Sequence, residues 1–417
     1  MSNLIFGRYH YGRYRWAGVV KQGQGPGPTP TTTTYLPNTF TVVAYAADGT
    51  KTAIYGAGAE SNALKSLQFE LTETGCGTAQ FLFSKMPQNN ELSINQRLDV
   101  FLFNDSQPWW SGYISQRPAE GSSLGATGQT FTFKADGYYN KLSKVLITAT
   151  YEDIEVSEIV QSIAREVETK CGLRYSADKI ISTTYIVSKI TFDHVTAKDA
   201  LKTLSEFGID YVYGVDEARN LYFKPRNNEI NEQARFWVGE HLTEFVTNLD
   251  FDKLCNQVYI KGGELDEDGE QWIAEASDTD SIDNYGYSEV VVDLPSAYGV
   301  DDAERYAELY IANHKNPTES AKVQGIQLEY DEADGTFGVR KLTTQGKAYI
   351  VDRSGTAHTL PITKLKYSVA ADKGISCDMT LGELPEQIDR YLANKERDYR
   401  NAEALNSANA KQLKTGG

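Results

Sequence analysis

Cysteine is scarce in this sequence, and the spacing of its cysteines argues against two kinds of site. The 417-residue chain has four of them, far apart and without any C-x-x-C pair, at Cys76, Cys171, Cys255 and Cys377. A zinc knuckle needs closely spaced cysteines, and a disulfide scaffold needs many in a short chain. We therefore expect reduced thiols, most of them buried.

Long hydrophobic runs are also missing. No stretch approaches the roughly 18 consecutive apolar residues that span a bilayer. The N-terminal residues MSNLIFGRYHYGRYRW lack the continuous apolar segment of a secretory signal. We expect a chain that is made and left in the cytosol and that does not insert stably into a membrane.

Positive charge is in deficit. The chain has 41 Lys and Arg against 57 Asp and Glu, which gives a formal net charge of −16. Proteins that wrap nucleic acid depend on clustered lysine and arginine to neutralise phosphates. We expect this surface to remain soluble and to repel DNA.

Local catalytic motifs are absent. The five histidines, His10, His194, His241, His314 and His358, sit in separate segments, without H-E-x-x-H or G-x-S-x-G. We predict no catalytic residue, no metal site and no cofactor. A pair of carboxylates assembled only in space, as in glycan hydrolases, would leave no such motif, so that alternative stays open.

Two acidic stretches raise the question of calcium. ELDEDGEQ at 264–271 and SDTDSID at 277–283 alternate Asp and Glu with other residues. Both lack the full loop spacing and the terminal glutamate of a calcium-binding loop. We interpret them as solvated hairpin tips.

Aromatic residues and turn formers are abundant. There are 26 Tyr and 16 Phe against 3 Met, with 34 Gly and 12 Pro. Aromatic side chains favour the half-buried surface of a sheet, so we expect a strand-rich protein. At about one domain per 150 residues, the length predicts roughly three domains.

Residues 1–36 differ from the rest of the chain. The first part interleaves arginine with aromatic residues, and GQGPGPTPTTTT then forms a Gly/Pro/Thr linker. We predict an arm that docks onto a neighbouring subunit, because Tyr, Trp and Arg are favoured interface anchors. Plain disorder and binding of single-stranded nucleic acid are the alternatives. The predicted docking residues are Phe6, Arg8, Tyr9, Tyr11, Arg13, Tyr14 and Trp16.

Residues 37–147 have a period of two and predict a first β-barrel domain, with a hairpin around Asp48-Gly49. Residues 148–230 change period: one amphipathic helix ends near Gly172, and a second begins at Thr196. A hairpin, YVYGVDEARNLYFKP, completes this small α/β module.

Residues 231–385 return to strands, starting near NQVYIKGG, and predict a second β-barrel with a helix inserted at 301–313. Residues 386–417 predict a polar C-terminal helix and tail. The predicted fold is therefore mostly β, with two β-barrel domains on either side of a two-helix α/β module.

This order of parts resembles the hub proteins of bacteriophage baseplates and tail tips. LDVFLFNDSQPWWSGYI followed by FTFKADGYYNKLSK looks like the first hub barrel closing onto its module. VTAKDALKTLSEFGIDYVYGVDEARNLYFKP looks like the module between barrels. NQVYIKGG, the segment of the inserted helix and MTLGELPEQIDRYL are similar to the second barrel and its exit. The resemblance covers roughly residues 37–395, and no single phrase in it is diagnostic.

The resemblance implies a structural protein and not an enzyme. It implies a homotrimer that joins a six-fold tail tube to a three-fold tip. Its neighbours would be tail tube, distal tail and tip or fibre proteins, with DNA only in transit through the lumen. It would reside in the virion after assembly in the bacterial cytoplasm. The alternatives are a distal tail or receptor-binding component, or a tail-associated glycan or cell-wall hydrolase.

Overall fold

The fold is taken from a computed structural model, which describes most of the chain between residues 40 and 382. The predicted arm at 1–36 and the predicted C-terminal helix at 386–417 lie outside the described residues. The described ranges are 40–56, 63–88, 91–103, 105–118, 130–208, 211–242, 245–265, 271–294, 300–326, 328–331, 337–370 and 374–382.

The first segment is built from strands, as its period of two predicts. Asp48 and Gly49 form the predicted turn between the first two strands: the Asp48 carboxylate accepts a hydrogen bond from the Thr50 N–H at 2.9 Å, and Gly49 has φ +87°. The strands are β1 (Phe40–Tyr45), β2 (Lys51–Gly56), β3 (Leu64–Thr72), β4 (Gly75–Phe83), β5 (Arg97–Leu102), β6 (Trp110–Gln116) and β7 (Phe131–Gly137).

The module contains both predicted helices. Thr196 caps the second one by accepting a hydrogen bond from the Asp199 N–H at 3.2 Å. A two-stranded antiparallel sheet of β8 (Leu146–Glu155) and β9 (Ile186–Thr196) lies beside the helices. The elements are a 3₁₀ helix (Tyr138–Lys144), β8 (Leu146–Glu155), α1 (Val156–Cys171), a second 3₁₀ helix (Ala177–Lys179), β9 (Ile186–Thr196), α2 (Ala197–Phe207), β10 (Tyr211–Val215) and β11 (Leu221–Pro225).

The last segment is again mostly strands. A helix, α4 (Val300–His314), covers the predicted position 301–313. The elements are β12 (Ile230–Trp237), β13 (Val246–Asp250), β14 (Gln257–Leu265), β15 (Gln271–Ser277), α3 (Thr279–Tyr285), β16 (Glu289–Leu294), α4 (Val300–His314), β17 (Thr318–Ile326), β18 (Glu329–Asp331), β19 (Phe337–Val339), β20 (Lys347–Val351), β21 (Ala357–Ala370) and β22 (Gly374–Gly382).

Most strands of the two predicted barrels share one sheet, while β18 and β19, within the described ranges, pair only with each other. The order of the shared sheet is β13-β17-β22-β21-β3-β4-β7-β6-β5-β1-β2, and β21 pairs with β3 in antiparallel register from Lys364↔Thr72 to Ala370↔Ser66. Strands β10, β11, β12 and β20 branch from this path. The mostly β fold with an α/β insert is therefore confirmed. No pairing among the described strands closes either set into a ring, so closed barrels stay a prediction.

One apolar core runs across the junction of the two strand sets. It contains side chains from β1 to β7 together with side chains from β12, β17, β20, β21 and β22. Tyr367 of β21 stacks on Phe69 of β3, with ring centroids 4.9 Å apart, and the Tyr367 hydroxyl donates to the Leu342 carbonyl at 3.0 Å. The module has its own core, centred on α1 and α2.

Two features of the last segment differ from the sequence prediction. Strands β14 to β16, expected in the second barrel, form a separate three-stranded sheet that α4 covers on one face. The stretch 277–283, interpreted as a hairpin tip, is mostly helical, because Asp278 caps α3 by accepting from the Ser281 N–H at 2.9 Å. Residues 266–270 of the other acidic stretch lie outside the described residues.

Candidate assembly surface

The end of the large sheet is an edge strand. Among the described strands, β13 pairs only with β17, from Val246↔Lys322 to Asp250↔Thr318. A strand with one partner presents its outer backbone N–H and C=O groups to a further strand. Val246 and Leu249 are also exposed, so this edge combines free backbone groups with apolar side chains.

The residue that follows β13, Phe251, belongs to an exposed aromatic pair. Phe251 packs edge-on against Tyr285 at the end of α3, with ring centroids 6.0 Å apart. Tyr287, two residues further on, is 73% exposed. Aromatic side chains exposed in this way are typical of interface anchors.

A buried amide holds this aromatic segment in place. The Asn256 side chain is fully buried; it donates to the Gly286 carbonyl at 2.7 Å and accepts from the Ser288 N–H at 2.8 Å. Lys315, just after α4, bridges to the α3 cap Asp278 at 2.8 Å and lowers the pKa of that carboxyl group. The two tyrosines therefore flank a segment with a defined backbone position.

The small sheet has one covered and one uncovered face. Side chains alternate along its strands, so Val258 and Ile260 face α4 and pack with its Ala303 and Ala307, as part of the small sheet's own core. Tyr259 and Lys261 point the other way, and the cross-strand pairs Tyr259↔Val291 and Lys261↔Ile273 put two more apolar residues on that outer face. Ile273 is 60% exposed there and Val291 55%.

These features are candidates for contact with another chain, and we refer to them together as the assembly surface. It consists of the edge strand β13, the aromatic segment beyond it and the outer face of the small sheet. Each apolar member has between 44% and 73% of its surface exposed. The members are Val246, Leu249, Phe251, Ile273, Tyr285, Tyr287 and Val291.

Sequence analysis did not single out this surface. Its predicted docking residues, Phe6 to Trp16, lie outside the described residues, so the arm stays a prediction. The segment EFVTNLDFDK at 244–253 carried a usable signal, because Val246, Leu249 and Phe251 do not follow the alternation of a one-sided strand.

The histidines and cysteines lie in separate surroundings. Within the part of the chain that the structure describes, no three His, Cys, Asp or Glu side chains are grouped to hold a metal ion. Three cysteines are buried, as predicted for most of them, and Cys171 is partly buried; all four are free thiols. Four histidines have local partners: His194 with Asp193, His241 with the Trp237 N–H, His314 with the Tyr310 carbonyl, and His358 with Glu319.

No helix among the described elements has the length and apolar character to cross a bilayer.

Comparison with known proteins identifies the fold. No protein-family model and no curated protein matches this sequence. Among solved structures, the 43 kDa tail protein of prophage MuSo2 from Shewanella oneidensis matches with a TM-score of 0.57 and 12% identity, over 82% of this chain and 98% of that one. A tail protein from Neisseria meningitidis MC58 matches with a TM-score of 0.56 and 12% identity, over 82% and 96%.

A third structure agrees with these two. Prophage tail protein gp18 from Listeria monocytogenes EGD-e matches with a TM-score of 0.54 and 12% identity, over 86% of this chain and 98% of that one. The chain therefore has the fold of phage tail proteins, and the resemblance inferred from the order of its parts is confirmed at the level of the fold.

Proposed function

We propose that this chain is a structural protein of a phage tail, and more specifically a baseplate or tail-tip hub. In this proposal three copies form a ring that adapts the six-fold tail tube to the three-fold tip and lines the conduit for genome ejection. The observation that carries the proposal is the assembly surface: an edge strand and exposed apolar side chains on a fold shared with tail proteins.

The assembly surface suits contact with a second copy of the chain. The outer side of β13 can accept another strand, because its backbone groups on that side have no partner among the described strands. Burying its exposed apolar side chains would contribute roughly 25 cal/mol for each Å² removed from water. Isolated exposed apolar residues are common, whereas an edge strand with two exposed apolar side chains and a sheet face with two more are features that interaction sites use.

The two strand sets supply a physical basis for the change of symmetry. Each chain carries one set before the module and one after it. Three chains in a closed ring would present six such sets to a six-subunit tube and a three-fold arrangement to the tip. Tail tube, distal tail, and tip or fibre proteins are the proposed partners.

Net charge fits passage of DNA without retention. Each chain carries −16, so a ring of three is strongly negative. A negative lumen would let DNA pass because like charges repel the phosphate backbone. Retention of DNA by the purified protein at about 150 mM salt, where nonspecific binders still hold DNA, would contradict this part of the proposal.

The assembly surface can be tested by mass measurement in solution. We expect light scattering of the purified protein to give three times the chain mass of 46.4 kDa. Leu249→Lys and Val291→Lys should each shift the protein to monomer at micromolar concentration, because an unpaired charge would be buried in the interface. The control is Ile186→Lys, at an equally exposed position on β9 of the module, which should remain trimeric.

Two results would count against the proposal in different ways. If both lysine variants stay trimeric, the ring forms through another surface. If the unmodified protein is a stable monomer that binds sugars, the alternative of a receptor-binding tail component is favoured instead.

A further inference from the structure

A positively charged cleft lies between the first strand set and the module. Its volume is about 530 Å³, and its walls come from the β1–β2 turn, the loop before β5, the 3₁₀ helix after β7 and the β10–β11 turn. The side chains that matter here are Tyr45, Gln96, Arg97, Tyr138, Lys141 and Arg219. The cleft lies outside the assembly surface, and nothing in the proposed hub function uses it.

Arg97 is held rigidly at the cleft wall. Its guanidinium lies over the Tyr45 ring, 4.6 Å from the centroid, and donates to both carboxylate oxygens of Asp99. Asp99 is itself buried and accepts a hydrogen bond from the Ser111 hydroxyl at 2.5 Å. The Asp99 charge is therefore committed to Arg97, and the pair adds little net charge to the cleft.

Lys141 and Arg219 supply the uncompensated charge. The Lys141 ammonium lies 5.0 Å from the Tyr113 ring centroid and 5.6 Å from that of Tyr138. Its pKa is lowered by burial, and the nearby charge of Arg219 lowers it further. Among the described residues, neither Lys141 nor Arg219 has an ion-pair partner.

Acidic groups near the cleft have other partners or favour their neutral form. Burial raises the pKa of Glu217, in the same turn as Arg219. Asp216, in the same turn as Arg219, accepts hydrogen bonds from Asn220 and lies 3.8 Å from Lys179. Asp48 is exposed at the tip of the β1–β2 turn and accepts hydrogen bonds from Thr50. Two like charges at one partly buried site cost free energy that a bound anion would offset.

The two tyrosines of the cleft add no charge and no open ring face. Burial raises the pKa of Tyr138 to about 12. Like any tyrosine at neutral pH, it adds no charge to the cleft. The rings of Tyr45 and Tyr138 already carry Arg97 and Lys141 against them, so these faces do not offer the open stacking surface that sugar rings use.

We propose that this cleft binds the carboxylates of an acidic peptide segment from a neighbouring protein, through Lys141 and Arg219 with Arg97 at its side. A volume of about 530 Å³ is in the range of sites for small ligands, so the cleft suits a short segment and excludes a folded domain. Charge-assisted hydrogen bonds to carboxylate are among the strongest available to a protein surface. The proposal does not depend on trimer formation, and it would make the cleft a docking point for an acidic tail or loop.

Calorimetric titration of the full-length protein with the peptide acetyl-Glu-Glu-Glu-Glu-amide tests the proposal. We expect binding at about 50 mM salt that is lost in about 500 mM salt, because salt screens exposed charge. Lys141→Gln and Arg219→Gln should each weaken binding about tenfold, as expected for loss of one hydrogen bond to a charged group. The matched control is Lys198→Gln, since Lys198 lies against Tyr139, 5.2 Å from its ring centroid, and does not line the cleft.

Several outcomes would overturn the assignment. One is absence of binding to the unmodified protein, and another is equal weakening by Lys198→Gln, which would show nonspecific attraction. Equal binding of the neutral acetyl-Gln-Gln-Gln-Gln-amide would remove the role of charge. Tighter binding of inorganic phosphate or of sialyllactose than of the peptide would show a different ligand class. Thermal melting of each variant serves to confirm that it is folded.

Discussion

Gly137 ends β7 where a neighbouring strand leaves no room for a side chain. Its backbone angles, φ −65° and ψ 159°, are open to any residue. A Cβ atom there would lie 1.7 Å from the Cys76 carbonyl oxygen. Gly172 presents the opposite case: it ends α1 with φ 70° and has no atom within 4 Å of a Cβ position. Glycine is required at Gly137 because the neighbouring backbone is too close for a side chain. It is favoured at Gly172 because the backbone there is left-handed.

Alanine substitution should separate these two reasons. Gly137→Ala should destabilise the protein by about 3 kcal/mol, because backbone atoms must move to admit the methyl group. Gly172→Ala should cost only about 1 kcal/mol, the penalty of a left-handed conformation for an L-residue. The free energy of unfolding from urea denaturation checks both values. A larger loss for Gly172→Ala than for Gly137→Ala would contradict the structural account.

At the scale of the element, α1 depends on an acidic N-cap. One Glu155 carboxylate oxygen accepts from the Ser157 N–H at 3.0 Å, and the other accepts from the Thr183 N–H at 2.8 Å. Burial alone would raise the pKa of this group, but the hydrogen bonds from Ser157 and Thr183 outweigh it and lower the pKa below its usual value of about 4.5. The carboxylate thus joins the start of α1 to the loop that precedes β9.

Glu155→Gln should weaken this junction in a pH-dependent way. The amide retains one acceptor oxygen and turns its NH₂ group toward the other donor, so we expect a loss of about 1 kcal/mol at pH 7. Because the folded-state pKa is depressed, the contribution of Glu155 is complete above pH 4.5 and is lost as the pH falls through the folded-state pKa. The difference in free energy of unfolding between Glu155→Gln and the unmodified protein should therefore become smaller as the pH falls.

Denaturation curves at several pH values between 3 and 8 provide the measurement. Glu158→Gln is the control, since Glu158 is in the same first turn of α1 but is exposed. It should change the free energy of unfolding by less than about 0.5 kcal/mol at pH 7. If the difference in free energy of unfolding between Glu155→Gln and the unmodified protein became larger in acid, folding would raise the pKa of Glu155 and not lower it.

At the scale of the whole molecule, the junction between β3 and β21 joins segments almost 300 residues apart. Leu365 pairs with Leu71, and Tyr367 pairs with Phe69 on which its ring also stacks. Trp109 packs edge-on against the same tyrosine, with ring centroids 5.5 Å apart. Because one core crosses this junction, we expect the two strand sets to unfold together.

Truncation tests that coupling. A fragment of residues 37–147 should lack a cooperative thermal transition, because β3 would lose its β21 partner and expose its side of the core. A fragment of residues 37–385 should melt in one transition that is the same by near-UV and far-UV circular dichroism. Cooperative melting of the short fragment at the temperature of the long one would show instead that the first strand set is an independent domain.

Local signals in the sequence correctly predicted local structure. Apolar residues at helical spacing predicted α1, α2 and α4, and Thr196 and Gly172 marked ends of helices at the positions where the structure has them. Asp48-Gly49 predicted the first hairpin. These features depend on contacts between residues a few positions apart, so the sequence alone determined them.

The cap of α3 shows where the local signal was ambiguous. The Asp278 carboxylate accepts a hydrogen bond from the N–H of Ser281, three residues further on, which is an N-cap pattern. The alternating acidic residues around it also fit a solvated turn. The interaction of Lys315 with Asp278 and the hydrogen bond from Ser281 to the Lys315 carbonyl tie α3 to the end of α4. Contacts with Lys315, more than 30 positions further along the chain, thus favour the helical conformation of residues 279–285.

The sequence by itself determined that this is a strand-rich, acidic chain with a two-helix module, and its order of parts pointed to the fold of tail proteins. Only the tertiary structure decided that β3 pairs with β21, that β14 to β16 form a sheet of their own, and that β13 has a free edge. Alternation along a strand reports which face is buried but carries no information about which strand lies beside it. Partner choice depends on long-range hydrogen bonds and packing, and these exist only in the folded chain.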